Sequence, residues 1–288
     1  MATTITADMV KKLRDQTGAG MMECKTALTE ANGDFEEANT VLRKRGLASA
    51  AKKAGRAASE GLIAYRVAAD HSSGTLAEVN CESDFVARTP DFQHLMQNIV
   101  GEIDTAGASA TDAWLKDPNG PVRKLLAAAI AKLGENMAVP RFVRYTGQGY
   151  VGQYIHLGGK IAVQVEFGGV TPAIGPREEF TALVKEIAMQ IAAASPTYAS
   201  RDAVAPDLLE KERAIYRAQM ENSGKPANVI DKVVEGKLGA FYGQMVLVDQ
   251  PSIRDPKMTV KDVLAAAAKT LGAPVTVTRF ARLKVGEA

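Results

Sequence analysis

Five apolar positions in the first half of the chain recur at a constant spacing in the second half, and this repeat strongly constrains the fold. The residues of the first set have the spacing of a helix with one apolar face. Each has an apolar counterpart 88 residues later: Phe92 and Phe180, Leu95 and Leu183, Met96 and Val184, Ile99 and Ile187, and Ile103 and Ile191. A duplication of this length predicts two subdomains of similar design.

Strands are predicted in front of each of these helices. GLIAYRVAAD and TLAEVN flank HSSG, a pattern typical of a β-hairpin. A second cycle begins with RFVRY and continues with GQYIHLGG and KIAVQVEF, and the final PVTVTRFARLKVGE predicts a strand that returns to a sheet. We therefore expect an α+β fold with two duplicated αβ subdomains and antiparallel sheets, at residues 61–145 and 146–288.

Residues 1–46 predict a head of three short helices. The first helix ends at Gly18, and the third begins at Asp34 and ends at Gly46. The second ends at Gly33 and has four apolar residues on one face, Met21, Cys24, Leu28 and Ala31. Because so short a segment has a marginal core by itself, we expect it to dock onto a partner.

The segment from Arg43 to Arg56 carries six basic residues and no acidic one. The favoured interpretation is a solvated helical linker over residues 47–60. The alternative is a nucleic-acid contact, which would be non-specific and sensitive to salt. Since the whole chain has a net charge of only +2, we expect no specific nucleic-acid partner.

Residues 206–246 contain two amphipathic runs separated by SGKP, with Pro226 placed for the first turn of the second run. This pattern predicts an antiparallel coiled-coil hairpin inserted in the second subdomain. We expect it to project from the core, and the alternative is that both helices lie flat on it.

The sequence contains no recognisable catalytic, cofactor or metal motif, so we expect no enzyme, no cofactor and no metal. The three histidines, His71, His94 and His156, fall in unrelated predicted elements. Cys24 and Cys81 are far apart, which favours buried thiols in a reducing compartment. Without a long apolar run or a signal sequence, the expected location is the cytoplasm, with no membrane partner.

The loop CESDFVARTPDF places Asp84 beside Phe85 directly after a predicted strand. At the same place in the second copy the sequence reads FGGVTPA, so the fold itself does not require an Asp-Phe pair at this turn. We interpret the pair as an addition for function. The alternative is that Phe85 packs inward as part of the core.

Several segments, taken together, resemble bacterial elongation factor Ts in their order and spacing across nearly the whole chain. They are LRDQTGAGMMECKTALTEANGDFEEANTVLRKRG, KKAGRAASEG, VNCESDFVA, HLGGKIAV, EIAMQIAAASP, SGKP, KVVEGKL and RFARLKVGE. The resemblance implies a guanine-nucleotide exchange factor for the GTPase elongation factor Tu. It also implies an N-terminal ubiquitin-associated-like head, a core of two related subdomains and a coiled-coil hairpin.

The resemblance implies roles for eight residues. Ser83, Asp84, Phe85 and Val86 match the segment that enters the GTPase near its magnesium site. Arg14, Met21 and Met22 match a segment of the head that docks on the nucleotide-binding domain, and His156 lies in the part that meets another domain. We expect one of the two methionines to pack inside the head.

Two departures from the family pattern affect these expectations. Ser83 stands where the family commonly has Thr, which keeps the hydroxyl. Some members continue into a C-terminal helix where this sequence ends in VGEA, so we expect no site there. A non-enzymatic binding scaffold and an RNA-associated factor remain as alternatives, and a homodimer through the core or the hairpin is left open.

Overall fold

The computed structural model describes residues 4–147, 149–220 and 226–287. The first three helices are α1 (Ala7–Thr17), α2 (Met21–Glu30) and α3 (Phe35–Lys53). Thr6 caps α1 by accepting the Met9 N–H, and Asp34 caps α3 by accepting the Glu37 N–H at 2.8 Å. The three helices share a small core of Val10, Leu13, Cys24, Ala27, Leu28, Ala31 and Ala38.

The first sheet has β2 at its centre. Strands β1 and β2 pair antiparallel from Glu60 opposite Cys81 to Val67 opposite Gly74, as the hairpin pattern predicted. The elements of this subdomain are β1 (Glu60–Val67), β2 (Ser73–Cys81), α4 (Asp84–Ala87), α5 (Pro90–Ala106), α6 (Asp112–Lys116), α7 (Pro121–Leu133), β3 (Met137–Ala138) and β4 (Phe142–Thr146). Strands β3 and β4 both pair with β2 on the edge that β1 leaves free.

The place of β4 corrects the prediction that RFVRY opens the second cycle. The strand pairs with β2 of the first sheet, where Arg144 lies opposite Thr75. Strand β2 is buried along nearly its whole length, so its second edge needs a partner for its backbone N–H and C=O groups.

The second subdomain repeats the helix-on-sheet design. Its elements are β5 (Tyr150–His156), β6 (Ile161–Gly168), α8 (Glu178–Ala194), α9 (Pro206–Ala218), α10 (Ala227–Met245), α11 (Val260–Leu271) and β7 (Thr276–Lys284). The sheet runs β5-β6-β7 and is antiparallel throughout. Both ends of α8 lie 88 residues after the corresponding ends of α5, and all five predicted pairs of apolar residues are buried.

The two sheets touch through a small apolar cluster of Ile63, Leu76, Ala162 and Leu283. At Gly74 a Cβ atom would lie 2.5 Å from the Gln164 side-chain oxygen. Only glycine allows the sheets to approach this closely at that point. Each subdomain has its own hydrophobic core, and the two are joined through this close contact between their sheets.

Helix α3 corrects a predicted boundary, because it continues through Gly46 to Lys53 and includes part of the predicted linker. Gly46 is buried against α7, where a Cβ would lie 3.5 Å from the Ala127 carbonyl oxygen and 3.6 Å from the Ala131 Cβ. The glycine thus allows α3 and α7 to approach closely and does not end the helix.

Helices α9 and α10 run antiparallel. Arg213 forms an ion pair with Glu235 at 3.4 Å, and Arg217 forms one with Asp231 at 3.0 Å. The residue later in α9 therefore pairs with the residue earlier in α10, as antiparallel helices require. The predicted SGKP turn falls mostly on residues 221–225, outside the described residues. Within the described chain α9 buries none of its residues, which favours projection over a hairpin lying flat. The coiled-coil packing itself stays a prediction.

Across the three described ranges, we find no helix that combines the length and apolar character needed to cross a membrane.

The contact between α3 and α7 predicts opposite effects for two substitutions of Gly46. Gly46→Ala should raise the free energy of unfolding by up to about 1 kcal/mol, because alanine favours helix more than glycine and fits the available space. Gly46→Leu should lower it by about 1–3 kcal/mol through overpacking. Urea unfolding followed by circular dichroism measures both, and equal effects of the two variants would contradict the proposed packing.

Candidate functional site

Phe85 is the most exposed large hydrophobic side chain in the described part of the protein, with 81% of its surface accessible. It lies in α4, a single helical turn whose N-cap is Ser83. The Ser83 hydroxyl accepts the Val86 N–H at 3.4 Å. The alternative that Phe85 packs into the core is therefore wrong.

The turn before Phe85 is bound to Glu135, which lies in the loop between α7 and β3. One carboxylate oxygen of Glu135 accepts the backbone N–H groups of Glu82 and Ser83 at 3.1 and 2.9 Å. The other oxygen accepts the Ser83 hydroxyl at 2.5 Å. A single carboxylate thus accepts three hydrogen bonds from two successive residues, and such charge-assisted bonds are stronger than neutral ones.

A second carboxylate makes the reciprocal contact. Glu82 accepts the backbone N–H of Asn136 at 2.6 Å and lies 3.5 Å from the Arg56 guanidinium. The side-chain amide nitrogen of Asn136 in turn donates to the Arg56 carbonyl oxygen at 2.7 Å. We call the two contacts, Glu135 with residues 82–83 and Glu82 with Asn136, the carboxylate latch.

Hydrogen bonds also hold the loop at its C-terminal end, where it joins α5. Thr89 accepts the Phe92 N–H at the start of α5 and donates its hydroxyl to the Val86 carbonyl at 2.8 Å. Ala87 is buried under the turn. Phe85 therefore stands on a turn held at both ends, so binding a partner would cost little backbone ordering.

Asp84 forms an ion pair with Arg88, the residue that follows this short helix, at 2.7 Å. Both side chains are substantially exposed, and a surface pair of this kind contributes little to stability. Val86, the last residue of the predicted segment, is partly buried against the hydrophobic core of the first subdomain. Within this segment Phe85 is the side chain that offers apolar surface to solvent.

The site residues of the head lie around the first turn of α2. The Arg14 guanidinium is 3.9 Å from the Met21 sulfur. Met21 is 45% exposed and Met22 71% exposed. The expectation that one methionine packs inside is wrong, as is the placement of Met21 on the buried face, because Cys24, Ala27 and Leu28 fill the inward positions of the helix.

His156 ends β5, and its ring nitrogen Nδ1 lies 2.9 Å from the Tyr154 hydroxyl. The next residue, Leu157, was missed by sequence reasoning. It is 66% exposed and has a positive φ of 50°, which is rare for a branched aliphatic residue. The sequence feature that could have identified Leu157 is its place as an apolar residue directly before a Gly-Gly turn.

The start of α5 lies close to the head and to the turn after His156. Lys132 of α7 lies against Gly18 in the head and binds the Asp91 carboxylate at the start of α5, at 2.7 Å. A groove lined by Tyr65, His94 and Gly158 runs between the start of α5 and the turn after His156. The start of α5, directly after the loop that contains Phe85, therefore lies near both the head and this groove.

In the residues that the structure describes, no group of three or more His, Cys, Asp or Glu side chains is arranged to hold a metal ion. The exposed site residues offer an aromatic ring, two thioethers and a guanidinium, groups that are common at protein interfaces.

Comparison with known proteins gives a consistent result. The family model described as Elongation factor TS matches residues 82–287. The chain is 42% identical to elongation factor Ts of Trichlorobacter lovleyi, over 98% of this chain and 93% of that protein. It is 42% identical to the Clostridium acetobutylicum protein of the same name, with the same coverage. It is 41% identical to that of Lawsonia intracellularis, over 99% of both chains.

The carboxylate latch predicts slow hydrogen exchange at the backbone amides of Glu82 and Ser83. Glu135→Ala should speed their exchange at least about tenfold, because a hydrogen bond to a charged acceptor contributes about 1.5–3 kcal/mol. Asp84→Ala is the matched control, since it removes a nearby carboxylate that accepts neither amide. Unchanged exchange in Glu135→Ala, measured by NMR, would show that the latch does not hold the turn.

The thiol of Cys81 lies under the same turn and donates to the Ser83 carbonyl oxygen at 3.1 Å. Burial, with the nearby Glu135 carboxylate, raises the pKa of the Cys81 thiol to about 11 from its ordinary value of 9.0. In a Cys24→Ala background, iodoacetamide at pH 8 should modify Cys81 about a hundredfold more slowly than in the urea-unfolded chain, because only the thiolate reacts.

The raised pKa of the Cys81 thiol also predicts how folding stability depends on pH. Between about pH 9 and 11 the unfolded chain loses the Cys81 proton while the folded chain keeps it, so folding stability should fall as pH rises through this range. Cys81→Ala should make this fall less steep. A pH dependence identical to that of the parent chain would contradict the raised pKa.

Proposed function

This chain belongs to the elongation factor Ts family, and from that premise we propose that it promotes release of GDP from the translational GTPase elongation factor Tu. Members of the family are translation elongation factors. The observation that carries the proposal is the exposed Phe85 ring on a turn fixed by the carboxylate latch.

A GTPase holds GDP through backbone amides around the phosphates and through a magnesium ion bound to nucleotide and protein oxygens. An exchange factor must favour a conformation in which some of these contacts are lost. Because the coupling is reciprocal, GDP weakens binding of the factor by the same ratio as the factor weakens binding of GDP. The factor thus needs binding energy that is available only in the altered conformation.

Phe85 is the proposed source of part of that energy. Burying one Phe side chain contributes about 1.5–3 kcal/mol, which is about one to two powers of ten in a binding equilibrium. We place the ring between helices of the GTPase near its magnesium site. Ser83 and Val86 hold the turn, and Asp84 orients it through Arg88 or contacts the same helices.

The remaining predicted residues would hold the GTPase while Phe85 acts. Met21 and Met22 offer adaptable apolar contacts beside the Arg14 guanidinium, and His156 with its neighbour Leu157 offers a second surface. The predicted head, with its ubiquitin-associated-like design, and the hairpin would extend this contact. The protein would act in the cytoplasm as a binding factor, without a cofactor or catalytic group of its own.

Phe85→Ala should slow factor-stimulated GDP release by about 10–100-fold, from the burial energy of the ring, while the protein keeps its fold. Fluorescent GDP on purified elongation factor Tu measures the rate. Ile253→Ala is the matched control, because it shortens another exposed apolar side chain outside the proposed contact. We expect it to leave the rate unchanged.

A parallel binding measurement with nucleotide-free GTPase separates two explanations of a slow rate. If Phe85→Ala binds the GTPase and releases GDP as fast as the parent chain, the proposed role of the ring is wrong. If the parent chain itself does not accelerate release, the exchange function is wrong, and the alternative of a non-enzymatic scaffold gains support. Steeply salt-dependent RNA binding would instead favour the RNA-associated alternative.

A further inference from the structure

A cavity of about 280 Å³ lies where the head meets the first subdomain. Helix α3 forms one wall with Leu42, Gly46 and Leu47, and helix α7 forms the other with Ala127, Ala128 and Ala131. Thr17 and Ala19, between α1 and α2, close one end. The small residues that let the helices approach also leave this space between the larger side chains.

The rim of the cavity is basic. Arg43, Lys124 and Lys132 all line it, and its lining contains no carboxylate. Lys132 already binds Asp91. In the part of the chain that the structure describes, Arg43 and Lys124 are exposed and form no ion pair. Two cations thus face an apolar cavity without a counter-charge from the protein.

The size of the cavity limits what it can accept. At about 280 Å³, the cavity is close to the lower end of the range for small-molecule pockets, which begins at about 300 Å³. A docked helix would need a groove about 10 Å wide along its length. A compact ligand therefore fits better than a helix of another protein. Its chemistry follows from the lining: an apolar body against the alanine and leucine side chains, and a negative group between Arg43 and Lys124.

We propose that this head–core cavity binds a small amphipathic anion, such as a medium-chain carboxylate. Because the ligand would touch both α3 and α7, it would stabilise the docked position of the head by mass action. The proposal does not depend on the exchange function, since binding is measured on the isolated chain.

The first test uses three probes with the full chain. Decanoate should displace 1-anilinonaphthalene-8-sulfonate from a single saturable site. Decyltrimethylammonium, with the same chain length and the opposite charge, should displace it at least about fivefold more weakly, from the loss of one favourable charge interaction. Equal displacement by the two amphiphiles, or no saturable binding, would overturn the proposal.

Matched variants test the location. Arg43→Glu should weaken decanoate binding at least about fivefold, and Lys44→Glu, on the same helix but outside the cavity lining, should not. Ala128→Phe should fill the cavity and abolish binding, whereas Ala48→Phe, also at an exposed helical alanine, should leave it intact. Equal effects within either pair would contradict the site.

A direct measurement keeps the proposal falsifiable if a variant folds poorly. A decanoate analogue with a terminal diazirine should label the parent chain within residues 39–47 and 124–132, as mapped by mass spectrometry. Labelling at Thr17, Ala19, Pro118 or Asn119, which also line the cavity, would support the same location. Labelling confined to segments outside this lining would overturn it.

Discussion

The hydrogen bonds from the turn at Glu82 and Ser83 to the Glu135 carboxylate are the interaction on which the proposed site depends. Without them, residues 82–87 would be a surface loop with an exposed aromatic ring, free to move or to pack on the core. With them, and with the return contact from Glu82 to Asn136, the ring is held away from its own subdomain. Exposure of Phe85 is thus built into the fold.

The same design principle, close packing that fixes a surface feature, recurs at the head. Gly46 lets α3 and α7 approach closely, and the Lys132 side chain lies against Gly18 of the head while it binds Asp91 at the start of α5. Helix α7 thus packs against α3 of the head, and the loop that follows α7 supplies Glu135 to the turn before Phe85. A partner that contacts both the head and Phe85 would meet a preorganised arrangement, which lowers the entropic cost of binding.

Periodicity predicted the elements well, because α5 and α8 bury long apolar faces that local sequence reveals. Comparison of the two copies also indicated that Phe85 is not needed by the fold. Glu135 could not be predicted, since it lies 52 residues from Ser83 and no local pattern joins them. Gly46 was misread because glycine commonly ends helices, and only the tertiary contact with α7 shows its role.

The most direct test of the account is a double-mutant cycle on stimulated GDP release from elongation factor Tu, with Phe85→Ala, Glu135→Ala and the double variant. If the latch acts by presenting the ring, Glu135→Ala should slow release in the parent chain. In the Phe85→Ala background, Glu135→Ala should change the release rate less than about twofold, because the carboxylate then has no ring to present and the two substitutions are coupled. If Glu135→Ala slows GDP release by the same factor with and without the Phe85 ring, the account is wrong.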